Sequence, residues 1–381
     1  ATWQVWVGHR SAPLDTVSGQ WLDVDGDGFT DAAVGRELWL GGKSGPHAQA
    51  GGPFADVQRL VLAGDLDGDG YTDAVGISDG PQAQSQSQSL RVYRGGPSGL
   101  SRTATTTIAA PKKTRTFASA LAAAGDVNGD GYADLLVGAP GVLEAYVFFG
   151  APGGLAKDPP LTLTKPSRHE HSSFGVTVDA AGDVDGDGFA DFIVTASGNN
   201  YLYVFRGGAP RPSAEPLLAL FGGGDTQYAS AMRGAGDVDG DGYADLVHSF
   251  LPDPGGEPTY DARLLRGSPK LVPARATLLP LDPPATDEGR GYLSVGGAGD
   301  LDGDGYDDLF ILGERADELL ILPGAPSGAK KPPRHVEAKR KILGVEAVGD
   351  INGDGFADLL LRHDRATTTF FGSATRSSSI P

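Results

Sequence analysis

Seven stretches of nine residues place oxygen-bearing side chains at alternate positions, the pattern of a loop that wraps a hard cation. The first is built on Asp23, Asp25, Asp27, Phe29 and Asp31, the second on Asp65, Asp67, Asp69, Tyr71 and Asp73. The third uses Asp126, Asn128, Asp130, Tyr132 and Asp134, and the fourth Asp183, Asp185, Asp187, Phe189 and Asp191. Asp237, Asp239, Asp241, Tyr243 and Asp245 form the fifth, Asp300, Asp302, Asp304, Tyr306 and Asp308 the sixth, and Asp350, Asn352, Asp354, Phe356 and Asp358 the seventh. Positions 1, 3, 5 and 9 offer side-chain oxygens, and position 7 offers a backbone carbonyl. Calcium takes about 6–8 oxygens, so a second oxygen from the position-9 Asp or a water would complete the shell. Glycines at positions 4 and 6 let the backbone turn tightly enough to aim alternate side chains inward. The expected complement is about seven Ca²⁺ per chain, one for each loop. Asn128 and Asn352 remove one charge each, which predicts a weaker pair of sites. The position-7 ring is expected to pack beneath its loop.

The same spacing opens an EF-hand, which also needs Glu at position 12 and flanking helices. Position 12 is Val34, Gly76, Val137, Val194, His248, Ile311 and Leu361 in the seven copies, and the flanks are rich in Gly. Three or four carboxylates crowded into nine residues repel one another without a cation, which also argues against a bare turn.

The loops account for the charge. Their ligand positions hold 26 of the 49 acidic residues, and the remainder is outnumbered by 31 Lys and Arg. Seven doubly charged cations would bring the formal −18 close to neutrality. The acidity is therefore directed at metal, not at a basic partner, and nothing in it points to nucleic acid. With no Cys there is no disulfide or thiolate site, and no apolar run is long enough to insert as a membrane span.

The elements that hold the loops repeat with them. The first Asp of successive copies are spaced by 42, 61, 57, 54, 63 and 50 residues, periods that fit a four-stranded blade with variable connections. Small residues precede each loop, as at Ala118–Ala124, and suit an innermost strand where blades converge. A short apolar run follows each loop, as in Leu135, Leu136 and Val137, and a third run ends in Gly, as at Gly95, Gly150, Gly207 and Gly372. Continuous apolar character means both faces of each sheet are covered. The expected fold is an all-β, seven-bladed propeller of four-stranded blades forming one domain over residues 1–381. Residues 3–7 are expected to add the outer strand of the seventh blade and so close the ring, removing an exposed edge.

Phe174 and Gly175, followed by Gly182 and the loop from Asp183 to Asp191, resemble FG-GAP repeats, and Gly138, Ala139 and Pro140 match the second half of that signature. Such repeats build the seven-bladed propeller of integrin α-subunits. The resemblance implies calcium loops on one face of the disc and partner-binding loops on the other. Several copies lack Phe-Gly or Gly-Ala-Pro, all seven loops are complete, and no insert or leg domains are seen, so the chain resembles a free-standing microbial relative. Some fungal lectins share the architecture and bind sugars in clefts between blades.

The expected function is a non-catalytic, monomeric binding or adhesion module for a protein partner in an extracellular or cell-surface setting. A lectin with pockets between blades is the alternative, and a hydrolase or lyase using the central channel is a remote one. No catalytic constellation is found; His169, Glu170 and His171 read as a polar connection. Candidate partner-facing loops are residues 169–171, 197–200, 253–261, 287–290 and 363–365. The Ser/Gln tract at 85–89 reads as a surface loop, and the basic cluster of Lys330, Lys331, Lys339, Arg340 and Lys341 as a Lys-guarded outer edge or, alternatively, a polyanion patch. All four Trp (Trp3, Trp6, Trp21 and Trp39) fall near the start, in a core or ring-closing role or as a sugar-stacking platform.

Overall fold

The computed structural model describes residues 14–15, 20–79, 88–111, 114, 116–156, 160–166, 173–197, 201–221, 232–250, 261–271, 276–279, 292–313, 318–329, 332–337, 340–364 and 366–374. Among them there is no α-helix, only a single 3₁₀ turn at Pro140–Val142. The strands form seven antiparallel blades of a β-propeller, and within each blade consecutive strands are hydrogen-bonded neighbours.

Blades 2 to 6 have four strands each. In blade 3 these are Ala120–Gly125, Asp134–Ala139, Glu144–Phe148 and Leu161–Thr164, innermost first. Every residue of Asp134–Ala139 and Glu144–Phe148 is buried, because neighbouring blades cover both faces of the sheet. One apolar cluster joins Val75, Ile77, Leu90 and Val92 of blade 2 to Leu121, Val137 and Tyr146 of blade 3. Phe117 and Phe174, from the segments entering blades 3 and 4, meet third-strand rings edge-on, Tyr146 at 6.0 Å and Tyr203 at 5.6 Å. Burial of such a ring stabilises the fold by about 1.5–3 kcal/mol.

Six inner strands end in a glycine that pairs with the position-9 Asp of the following loop: Gly64, Gly125, Gly182, Gly236, Gly299 and Gly349. Their φ angles lie between +65° and +79°, and each marks a β-bulge that only glycine enters without cost. The first loop departs from this. Leu22 stands where the other copies have glycine. Among the described residues no inner strand pairs with Ala32–Val34; a short hairpin of Leu14–Asp15 and Gln20–Trp21 lies there, beside Gly344–Gly349 of blade 7.

Blades 1 and 7 show three strands each among the described residues. The ring-closing segment 3–7, with Trp3 and Trp6, lies outside them, as do 85–87, 169–171, 198–200, 253–260, 287–290, Lys330, Lys331, Lys339 and Arg365. Two surface expectations are corrected. Ser89 is not a loop residue: it lies in Gln88–Tyr93, buried, with its hydroxyl 2.8 Å from that of Ser78. His363 is buried too, its ring nitrogens 2.9 Å from Lys341 O and from Thr368 Oγ1. It ties the connection entering blade 7 to that blade's own turn, so it serves the fold.

The topology puts the loops of blades 2 to 7 at one end of the blades, between inner and second strands, and the loop of blade 1 at the same end, ahead of Ala32–Val34. Turns between second and third strands, such as Pro140–Val142, lie at the other end with the blade-to-blade connections.

Candidate metal centres

Each loop is organised by its first and last aspartates. In loop 1, Asp23 Oδ1 accepts from the Gly26 N–H at 2.7 Å and Oδ2 from the Gly28 N–H at 2.9 Å. The same pair of bonds recurs in the other six copies. The position-9 Asp does more than sequence spacing suggests. Asp31 Oδ2 accepts from the Val24 N–H and Oδ1 from the Gly41 N–H of the third strand, both at 2.7 Å. Asp73, Asp134, Asp191, Asp245, Asp308 and Asp358 hold equivalent groups. All seven are buried, and each staples its loop to the blade's third strand. The glycine at the end of every third run is required by space, since a Cβ on Gly41 would come 2.3 Å from Thr30 O and 2.7 Å from Phe29 Cβ, and the other six meet the equivalent carbonyl as closely.

In loops 1, 2, 4, 5 and 6, oxygens of three aspartates lie within 4.8 Å of one another. These sets draw on positions 1, 3 and 5, or on 1, 3 and 9. Loops 3 and 7 differ through their asparagines. Asn128 Nδ2 donates to Asp130 Oδ2 at 2.9 Å, and Asn352 Nδ2 to Asp354 Oδ2 at 3.0 Å. Two further oxygens, Asp185 Oδ1 and Asp302 Oδ1, are buried without a hydrogen-bond partner, a costly state unless something else meets them. Hard oxygen donors, closely grouped and partly unsatisfied, fit a calcium-sized cation.

The position-7 ring does not sit beneath its own loop. Tyr71 lies on Gly26 of the preceding blade, where an added Cβ would come 2.7 Å from the ring. Tyr132 lies on Gly68, Phe189 on Gly129, Tyr243 on Gly186, Tyr306 on Gly240, Phe356 on Gly303, and Phe29 on Gly353. Position 4 is thus glycine for two reasons: a positive φ and a ring pressed against it. Backbone bonds follow the same path, with Thr72 N–H donating to Asp23 O at 2.9 Å and Thr30 N–H to Asp350 O at 3.2 Å. The seven loops therefore form a closed ring, joined between blades 7 and 1 by Phe29, Thr30 and the Gly42 N–H on Ile351 O at 2.9 Å.

Burial pushes the position-9 carboxyls up, with neighbouring carboxylates adding to the effect and backbone N–H groups opposing it. Asp31, Asp134, Asp308 and Asp358 rise to about 8, and Asp73, Asp191 and Asp245 to about 7. A folded-state pKa above the unfolded value near 3.8 gives stability that is full below that value and lost as pH rises through the folded pKa. Cation-stripped protein is therefore expected to melt at progressively lower temperature from pH 5 to pH 8. Calcium, which favours the ionised form, should flatten the decline. Thermal scans across that range with and without calcium check this, and a flat profile for the stripped protein would contradict it.

Three residues that sequence reading did not single out also enter the loops. Arg94, Arg206 and Arg266 sit just before the third-strand glycine in blades 2, 4 and 5 and pair with Asp67, Asp185 and Asp239. An Arg-Gly at the end of the third run was the available signal, but only strand pairing shows that it returns to the loop.

The chain is similar in sequence to known proteins. Integrin alpha-PS5 of Drosophila melanogaster is 36% identical over 154 residues, covering 38% of this chain and 15% of its own length. Integrin alpha-3 of Cricetulus griseus is 35% identical over 153 residues, covering 36% and 14%, and integrin alpha-4 of Xenopus laevis 31% over 176 residues, covering 42% and 16%. The chain thus spans about 15% of the length of these curated relatives. A crystal structure of a protein from Lactobacillus plantarum superimposes with a TM-score of 0.50 at 11% identity, over 88% of this chain and 92% of that one, a likeness of fold alone. The family model of the FG-GAP-like repeat matches residues 48–137, 183–248 and 300–361, and by that match, over more than half of its residues, the chain belongs to the FG-GAP-like repeat family.

Proposed function

We propose that this chain is a calcium-stabilised, non-catalytic binding module that presents the face opposite its loops to a protein partner, outside the cell or at its surface. The observation that carries the calcium reading is the grouping of three carboxylates in five of the loops, together with a position-9 Asp that is buried in all seven and whose charge is opposed by its surroundings. In each loop, the side-chain oxygens of positions 1, 3, 5 and 9 and the carbonyl of position 7 would hold the ion. Calcium, when bound, supplies the positive charge that lets crowded carboxylates share one site. The chain's own residues do the rest: position 1 folds the loop, position 9 anchors it, and the position-7 ring joins it to its neighbour. Closure through the loops also supports a single domain, read as a monomer.

The protein-binding reading rests on the resemblance to integrin α-subunits, and the partner is a proposal for this chain alone. A carbohydrate ligand is favoured by one feature, a cleft of about 620 Å³ between blades 1 and 2 bordered by His47, Gln49, Ser98, Ser101 and Arg102. Against it, no Trp, Tyr or Phe among the described residues lines the cleft, and Arg102 is engaged with the carbonyls of Gly51 and Gly52 and with the Phe54 ring 4.0 Å away.

Metal analysis of the purified chain is expected to return close to seven calcium ions, and three or fewer would contradict the reading. Binding to a panel of immobilised extracellular-matrix proteins, run beside a glycan array, tests the partner. Calcium-dependent capture by a matrix protein with a blank array is expected. Calcium-dependent binding to one sugar class would shift the reading to a lectin, and silence in both would overturn a binding role toward either class.

A further inference from the structure

We propose that Arg94, Arg206 and Arg266 grade the seven loops, giving those of blades 2, 4 and 5 a lower calcium affinity than those of blades 1 and 6. This rests on the calcium reading above.

The third strands of blades 2, 4 and 5, Gln88–Tyr93, Tyr201–Phe205 and Asp261–Leu265, are followed directly by Arg-Gly. The glycine N–H is bound to the position-9 Asp, at 3.0 Å for Gly95 and 2.8 Å for Gly207 and Gly267. That bond fixes where the preceding side chain falls. Arg94 Nη2 lies 2.5 Å from Asp67 Oδ2 and Arg266 Nη1 lies 3.0 Å from Asp239 Oδ2. Arg206 pairs with Asp185 Oδ2 and also reaches Asp187 Oδ2 at 3.5 Å. The three position-3 carboxylates are almost wholly buried, at 2%, 1% and 4% exposure for Asp67, Asp185 and Asp239. In the other four blades the same place holds Leu40, Phe149, Pro323 and Phe371, none of which carries charge.

The arginines appear only where position 3 is Asp; loops 3 and 7, with Asn128 and Asn352, have Phe instead. Counting the ligand positions and the arginine, five loops therefore reach −3 by two routes, an Arg added or an Asp replaced, while loops 1 and 6 keep −4. Asp307, at position 8 of loop 6, is no part of that count and accepts instead from the Asp237 N–H of loop 5 at 2.8 Å. The affinity of a carboxylate loop for calcium follows its ligand charge. A guanidinium at this distance repels the ion and occupies one oxygen of a key ligand. Asp185 shows the division, with Oδ2 taken by Arg206 and Oδ1 buried without a hydrogen-bond partner. The same guanidinium relieves crowding among the carboxylates before calcium arrives. It therefore stabilises the empty loop and weakens the filled one.

The test is isothermal titration of the stripped chain with calcium chloride, with parallel melting curves in EGTA and in calcium. Two tight sites and five weaker ones are expected for the natural sequence. Arg94→Leu/Arg206→Leu/Arg266→Leu, taking the residue found at position 40, should raise the tight class from two to five and tighten those three sites about tenfold. It should melt lower in EGTA, with a larger rise on adding calcium. Arg94→Leu alone should give three tight sites, a readout that survives if the triple variant does not fold. An unchanged number of tight sites, or an equal loss of melting temperature in both conditions, would overturn the grading and leave a plain ion pair. Absence of calcium binding in the natural chain would instead defeat the calcium reading itself.

Discussion

Stripping the chain of divalent cations is expected to lower its melting temperature by about 5–15 °C. Extracellular calcium modules bind with Kd of about 10⁻⁴–10⁻³ M, so at 1–2 mM calcium each site adds roughly 0.5–2 kcal/mol. Over seven sites this reaches about 4–13 kcal/mol, the same size as the whole stability of an ordinary domain. The loops have little else to offset their crowding. Apart from the three arginines, their side-chain oxygens accept mainly from backbone N–H groups and, in loops 3 and 7, from the asparagine amides. Thermal scans in EGTA, then with calcium restored, measure the effect. A melting temperature indifferent to chelation would remove the stabilising role assigned to the ion.

The second large effect separates two aspartates of one loop. Asp31→Ala is expected to cost about 2–5 kcal/mol with or without calcium, because it strands the buried N–H groups of Val24 and Gly41 at roughly 1–3 kcal/mol each. Relief of the charge burial that raises its pKa to about 8 works the other way but does not replace two hydrogen bonds. Asp27→Ala should behave differently. Asp27 is exposed and accepts one bond from the Phe29 N–H at 3.0 Å, which water can replace. Its loss should lower stability only in calcium, by about 2 kcal/mol or less, the worth of one site. Denaturant titrations of both variants in calcium and in EGTA give the four numbers needed. Equal losses for the two variants would show that position 9 has no structural task of its own.

Features written in local spacing were legible before the structure. The loops, their count, the short apolar strands and the propeller all follow from residues within one repeat. What escaped was non-local. That Tyr71 would lie on Gly26 rather than beneath its own loop depends on how blade 2 meets blade 1, which no window of one repeat contains. The hydrogen bond that Asp31 accepts from Gly41 and the return of Arg206 to Asp185 depend on third-strand register. His363 was grouped with partner loops because it follows a strand end, yet its ring is buried between Lys341 and Thr368. Leu22 is the reverse case, a local signal that was available. A non-glycine where six copies carry glycine in the left-handed region marks the blade that shows no paired inner strand among the described residues.

The closed circuit of loops bears on how the molecule comes apart. An open stack of repeats frays from its caps, since a terminal unit has only one neighbour to leave. Here the loop of the first blade grips that of the last through Phe29, Gly353, Thr30 and Asp350, so the circuit has no terminal unit. Whichever blade detaches first must break two interfaces at once, and once it has gone, its two former neighbours become the ends that the intact disc lacked.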